Sequence, residues 1–201
     1  SALRYYNEGL AQLREGNNLE ALTSFERSVE ADADFALGHA RLAQTYDALG
    51  RGQKAEEASR RAVELSDGLP DAERFMVLAQ NATVEGDYEA GVDAYQNLLR
   101  LHPNDPEMHL QLATLYEGDG SFDLALEHLG TTLEADPRNV TAQLARGRVL
   151  IRSGSAQESL APLNQALSLA ISADNDEAKA NTLQALGIAY RILGQTDEAL
   201  A

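Results

Sequence analysis

The sequence predicts an all-α protein, a solenoid of about six helix–turn–helix repeats with the last one incomplete. Three observations carry that expectation. Six glycines (Gly16, Gly50, Gly86, Gly120, Gly154 and Gly194) follow one another at separations of 34, 36, 34, 34 and 40 residues. Seven residues before each stands a small residue: Gly9, Ala43, Ala79, Ala113, Gly147 and Gly187. Five residues after each stands another: Ala21, Ala55, Gly91, Ala125, Ser159 and Ala199. Between these markers apolar residues recur at helical spacing, as in Leu42, Ala43 and Tyr46 or Leu112, Ala113 and Tyr116.

Each marker has a physical reason. Glycine ends a helix in the left-handed conformation at no steric cost. The small residues on either side let two helices lie close together. One continuous array is expected, with repeats at about residues 2–35, 36–70, 72–105, 106–139, 140–178 and 179–201. The pattern resembles the tetratricopeptide repeat, a 34-residue helix pair with a small residue at position eight and alanine at position twenty. Repeat one supplies the large residue of position twenty-four as Phe25 and lacks the aromatic of position eleven, where Gln12 stands. Repeat two has Tyr46 at position eleven and departs at Ser59; repeat three lacks the aromatic, where Ala82 stands, and has Tyr95 and the helix-ending Pro103. Repeat four has Tyr116 and Pro137, with Leu129 as a substitute at position twenty-four; repeat five lacks the aromatic, where Leu150 stands, and substitutes Leu163; repeat six has Tyr190. The resemblance covers essentially the whole chain and implies a right-handed α-solenoid.

Two breaks in the period stand out. The sequence places two extra residues around 67–70 and six extra around 169–177. Lengthened helices or a longer loop would absorb them in a solenoid. A functional alternative is that the longer element shapes a site between repeats five and six.

Charge narrows the function. A formal net charge of −16 argues against binding nucleic acid or an anionic membrane surface. No apolar run is long enough for a membrane-spanning helix, and the lack of cysteine excludes disulfides and cysteine-based metal sites. From Phe75 to Pro137 the one basic residue is Arg100, whereas Arg138, Arg146, Arg148 and Arg152 follow with no acid before Glu158. An acidic middle and a basic band on repeat five are expected. They would serve either as a solvated surface or to select a partner of complementary charge.

The family resemblance implies a groove lined by the first helix of each repeat. Carried over, its positions include Tyr6 and Leu10, then Gln44 and Asp47, then Glu73, Met76 and Gln80. Repeat four offers Glu107, Leu110, Thr114 and Glu117; repeat five offers Leu144, Arg148 and Arg152; repeat six offers Gln184, Ile188 and Arg191. Arg148 and Arg152 share a helix face and, with Arg191, suit a carboxylate or an acidic peptide near repeats five and six. Pairing with acids of the same chain is the open alternative. Some members of the family grip a C-terminal carboxylate with Lys, Asn and Arg; the corresponding positions here hold Tyr6, Leu10, Arg41, Glu73 and Val77, so that clamp is absent.

Catalytic signals are lacking. His39 and His109 occupy the fourth repeat position and read as packing residues, and His102 and His109 lack zinc-motif spacing. The stretch from Glu117 to Asp123 has calcium-loop letters without the ligand spacing, and coincides with a turn. Asn81-Ala82-Thr83 and Asn139-Val140-Thr141 match the glycosylation pattern by letters alone. The expectation is a non-enzymatic scaffold for a protein or peptide partner, with no cofactor and no metal. The alternative is a regulatory or docking array of a larger bacterial signalling enzyme, because the stretch from about Leu69 is similar to arrays attached to bacterial serine/threonine kinases, cyclases and transcription regulators. The chain opens on Ser1 and stops at Ala201 inside repeat six, as a piece of a larger protein would. A cytoplasmic setting is expected, with the periplasm open, and self-association through the uncapped end is a further expectation.

Overall fold

The structure is a computed structural model that describes residues 1–14 and 17–195; Gly16 and Ala199 of the sequence pattern lie outside the described residues. The chain divides into two compact units, Ser1–Leu101 and His102–Ala201. The first holds α1 (Ala2–Arg14), α2 (Asn18–Ala31), α3 (Ala36–Ala48), α4 (Gly52–Glu64), α5 (Asp71–Glu85) and α6 (Tyr88–Leu101). The second holds α7 (Pro106–Asp119), α8 (Phe122–Ala135), α9 (Val140–Arg152), α10 (Ala156–Ser172) and α11 (Asp176–Ile192). No strand occurs among the described residues. Within each unit consecutive helices pack together, and first helices also touch one another: α3 with α5 in one unit, α7 with α9 and α9 with α11 in the other.

The turns described inside the pairs share one backbone scheme. Gly50, Gly86, Gly120, Gly154 and Gly194 all lie at φ between 68° and 90°, where a side chain would be strained. The residue that follows donates its N–H to the carbonyl five residues back: Arg51 to Tyr46, Asp87 to Ala82, Ser121 to Tyr116, Ser155 to Leu150 and Gln195 to Tyr190, at 2.8–2.9 Å. These bonds satisfy carbonyls that a helix end leaves open.

Inside the pairs, position eight of the first helix meets position twenty-four of the second. A Cβ on Gly9 would stand 2.6–2.9 Å from three carbons of the Phe25 ring, and one on Gly147 would collide with Leu163. Phe25, Tyr95, Leu129 and Leu163 are all buried at position twenty-four, each contributing about 1.5–3 kcal/mol by leaving water. Ser59, the departure from the family pattern, is buried too, and its hydroxyl donates to Asn81 Oδ1 at 2.8 Å, joining α4 to α5. That bond also commits the asparagine of the first glycosylation-like triplet. Tyr46 ties α3 to α2 by donating to Glu26 Oε1 at 2.7 Å. Burial and then Glu26 push its phenol up to about 12.

Turns between repeats use position four. His39 Nε2 lies 3.0 Å from the Ala33 carbonyl, His109 Nε2 lies 3.0 Å from the Pro103 carbonyl, and Gln143 Nε2 donates to the Pro137 carbonyl at 3.2 Å. In each case the acceptor is six residues back, so the side chain clasps the turn that precedes its own helix.

Both period breaks resolve into local structure. The first becomes a short 3-10 turn, Ser66–Gly68, anchored by Ser66 Oγ donating to the Val63 carbonyl at 2.8 Å. The second lengthens both neighbouring helices: α10 and α11 have 17 residues each. Their turn closes on Asp174 at φ 53°, with Asn175 N–H donating to the Ala170 carbonyl at 3.0 Å. Aspartate tolerates this conformation better than most residues. Asn175 then caps α11 by accepting from Ala178 N–H at 2.9 Å.

The eighth-position contact is directly testable. Gly147→Val should lower stability by about 2 kcal/mol through overpacking, and adding Leu163→Ala should restore more than half of that loss. Urea unfolding of the single and double variants measures this, and purely additive losses would contradict the contact.

Candidate functional site

In the first unit some groove positions are drawn into packing and others stay exposed. Tyr6 lies against Phe25 and edge-on to Phe35, with ring centroids 5.9 and 5.2 Å away. Leu10 packs on the core formed by α2 and α3. Gln44 accepts from Arg41 Nη1 at 2.9 Å, Asp47 and Glu73 are exposed, and Met76 is half-buried. Gln80 is only 4% exposed, and its Oε1 meets no donor.

The second unit gathers charge. Glu117, near the end of α7, has a side chain only 8% exposed. An unpaired carboxylate there would be strongly disfavoured. Its Oε2 accepts from Arg148 Nη2 at 2.6 Å and its Oε1 from Arg148 Nε at 3.3 Å, a two-pronged grip from α9. Arg152 Nη1 approaches Oε1 at 3.5 Å, and its guanidinium lies 5.2 Å from the centre of the Phe122 ring. The arginine side chains nevertheless stay 49% and 46% exposed. Two guanidiniums on one carboxylate leave one positive charge in excess. The open alternative of the sequence, pairing within the chain, is therefore realised for Arg148 and Arg152, though it does not use them up.

Among the other groove positions of this unit Leu110 and Leu144 are buried, Thr114 and Glu107 are exposed, and Thr114 Oγ1 donates to the Leu110 carbonyl at 3.1 Å. On α11, Gln184, Ile188 and Arg191 share one exposed face by their spacing, and Arg191 has no ion-pair partner among the described residues. The expected basic band is divided: Arg146 lies instead in a hollow with Leu126, Gln143, Glu158 and Gln165. Arg146 and Arg148 are two positions apart, which turns them to opposite sides of α9.

A second polar cluster links α7 to α8. His109 Nδ1 and His128 Nδ1 are 2.7 Å apart. Because the Pro103 carbonyl can only accept, His109 carries its proton on Nε2, and when neutral it accepts at Nδ1 from His128. His128 stacks on Tyr116, with centroids 5.5 Å apart and planes at 21°. Burial, and then His109, hold the His128 pKa below its ordinary value, against a smaller opposing pull from Glu127. His102 is exposed and takes no part. No group of three or more potential metal ligands occurs among the described residues. The calcium-like stretch is a turn in which Ser121 Oγ donates to Asp119 Oδ2 at 2.7 Å, and Asn139 caps α9 by accepting from Ala142 N–H at 2.9 Å.

A helical array with a charged, half-exposed first-helix face is the build of a binding scaffold. The sequence profile of the tetratricopeptide repeat matches residues 6–70, 76–129 and 139–201, and the chain belongs to that family. Among curated proteins, BBSome complex member BBS4 of Bos taurus is 31% identical over 80 residues, which is 40% of this chain and 15% of that protein. Among solved structures, PilW, a type IV pilus biogenesis factor, is similar with a TM-score of 0.77 at 17% identity, over 99% of this chain and 89% of that one. TTC0263 of Thermus thermophilus gives a TM-score of 0.74 at 21% identity, over 92% and 99%. YrrB, described as having an unusual peptide-binding site, gives 0.53 at 19% identity, over 84% and 86%. These likenesses speak for the fold. No helix among the described residues is long and apolar enough to cross a membrane.

The histidine pair predicts a pH dependence. The unfolded chain protonates His128 as pH falls through about 6.5, whereas the folded chain does so only at lower pH. The stability it contributes is therefore complete above that value and is lost as pH falls through the folded pKa. His128→Asn keeps a donor for His109 Nδ1 but does not titrate. The parent's stability relative to this variant should fall between about pH 7.5 and pH 5, as read by urea unfolding at each pH. An unchanged gap would refute the account.

Proposed function

We propose that the chain is a protein-interaction scaffold without chemistry of its own, and that the first-helix face of unit His102–Ala201 holds an acidic segment of a partner protein. The observation that carries this reading is the arginine pair on α9. Arg148 and Arg152 are fixed on a buried carboxylate, remain about half exposed, and keep one positive charge in excess. Arg191 and Ile188 on α11 add a further cation and an exposed apolar side chain.

The charge of the whole chain sharpens the choice. At −16 the protein repels acidic chains in general, but screening over about 8 Å at physiological salt lets local charge decide the contact. An acidic segment thus has few places to settle, which favours a defined site. A basic segment would meet acidic surface in many places. The peptide-binding description of YrrB, a protein of similar fold, supports the use of such an array for holding peptide.

Fluorescence anisotropy with a short labelled peptide alternating leucine and glutamate tests the proposal, with its leucine–lysine counterpart as control. The acidic peptide should bind better. The Arg148→Glu/Arg152→Glu variant should weaken it by at least about tenfold, and added salt should weaken parent binding. Equal affinity in parent and variant, or preference for the lysine peptide, would overturn the proposal.

A further inference from the structure

We infer that Glu117 is the positioning residue of this site: its buried carboxylate holds Arg148 and Arg152 as a fixed two-guanidinium receptor for the carboxylate of an aspartate or glutamate in the partner. The inference rests on the acidic-segment reading above and adds to it a geometry, a ligand chemistry and a role for a residue that a ligand cannot reach.

Two arginines four residues apart repel each other, and each is long and flexible. Left alone they would point into water in many rotamers, and a ligand would have to order both at a cost in affinity. Glu117 orders them in advance. It takes Nε and Nη2 of Arg148 and Nη1 of Arg152. Arg148 Nη1 and Arg152 Nε and Nη2 meet no acceptor among the described residues, and the Phe122 ring lies beside the second guanidinium. An incoming carboxylate therefore finds donors from two guanidiniums whose positions are already set.

The ligand adds to the cluster and does not displace Glu117. Displacement would strand a carboxylate that is 8% exposed without its hydrogen-bond donors. Charge favours a carboxylate over a phosphate: one excess positive charge is neutralised by one carboxylate, whereas a phosphate dianion would leave the cluster negative.

The test turns on a sign. Glu117→Ala raises the local charge by one, so a purely long-range effect would tighten binding of the leucine–glutamate peptide. If Glu117 positions the arginines, the same variant should weaken it by at least about fivefold. Glu117→Gln keeps an acceptor oxygen and should lose less. Affinity equal to or tighter than the parent's in Glu117→Ala overturns the inference. Should that variant fail to fold, as checked by circular dichroism, Glu117→Gln decides alone, and affinity at or above the parent's overturns the inference. The two readings fail separately. An unweakened Arg148→Glu/Arg152→Glu variant defeats the acidic-segment reading, whereas its loss of binding beside an intact Glu117→Ala defeats only the role of Glu117.

Discussion

Two helices lie close only where one of them presents a small residue or none, and that approach orients the first helix of each pair. Gly9 against Phe25 and Gly147 against Leu163 leave no room for a single added carbon. Once position eight is turned toward the partner helix, the rotation of the first helix is set. Positions nine and thirteen then fall on a shared face about a third of a turn away. On α9 those positions are Arg148 and Arg152. Their shared approach to Glu117 follows from packing that involves no charge at all.

The ion cluster differs from the other ion pairs of the chain. Arg61 with Asp34 and Glu64, and Arg4 with Glu8, are largely solvated, and pairs of that kind add little to stability. Glu117 is buried, so its pairing is obligatory, and the energy it gains from the arginines mostly offsets its own desolvation. What remains is orientation: α7 and α9 are held in register by groups whose outer edges stay in water. The histidine pair joins α7 to α8 by a different chemistry, through a hydrogen bond between ring nitrogens and a stacked ring.

The fold was largely legible because each repeat states the same constraint again. A glycine at the turn and a small residue seven positions earlier can be read without any contact map, and the described glycines adopt the left-handed conformation that such a reading requires. The long break was visible as a count, but its form was not. Whether six residues extend helices or form a loop depends on Asp174 accepting a positive φ, which composition does not reveal. Glu117 and Arg148 stand 31 residues apart, three short of the repeat, so a partner from the preceding first helix was implicit in the period. The sequence left that pairing open because it does not say whether a surface arginine turns to a neighbour or to water. Tyr6, Leu10 and Gln80 illustrate the opposite loss: positions that line a groove in the family pattern are here taken up by packing or buried.

The turn within each pair has a consequence for how such a chain can change. Its closing bond is made by the backbone N–H of the residue after the glycine, and that residue is Arg51, Asp87, Ser121, Ser155 or Gln195 in successive repeats. A cation, two kinds of neutral polar group and an anion serve equally, because the side chain takes no part in the bond. Selection can therefore act on that residue for solubility or recognition without removing the closing bond. In each unit the residue after such a glycine can vary in a way that the glycine itself cannot.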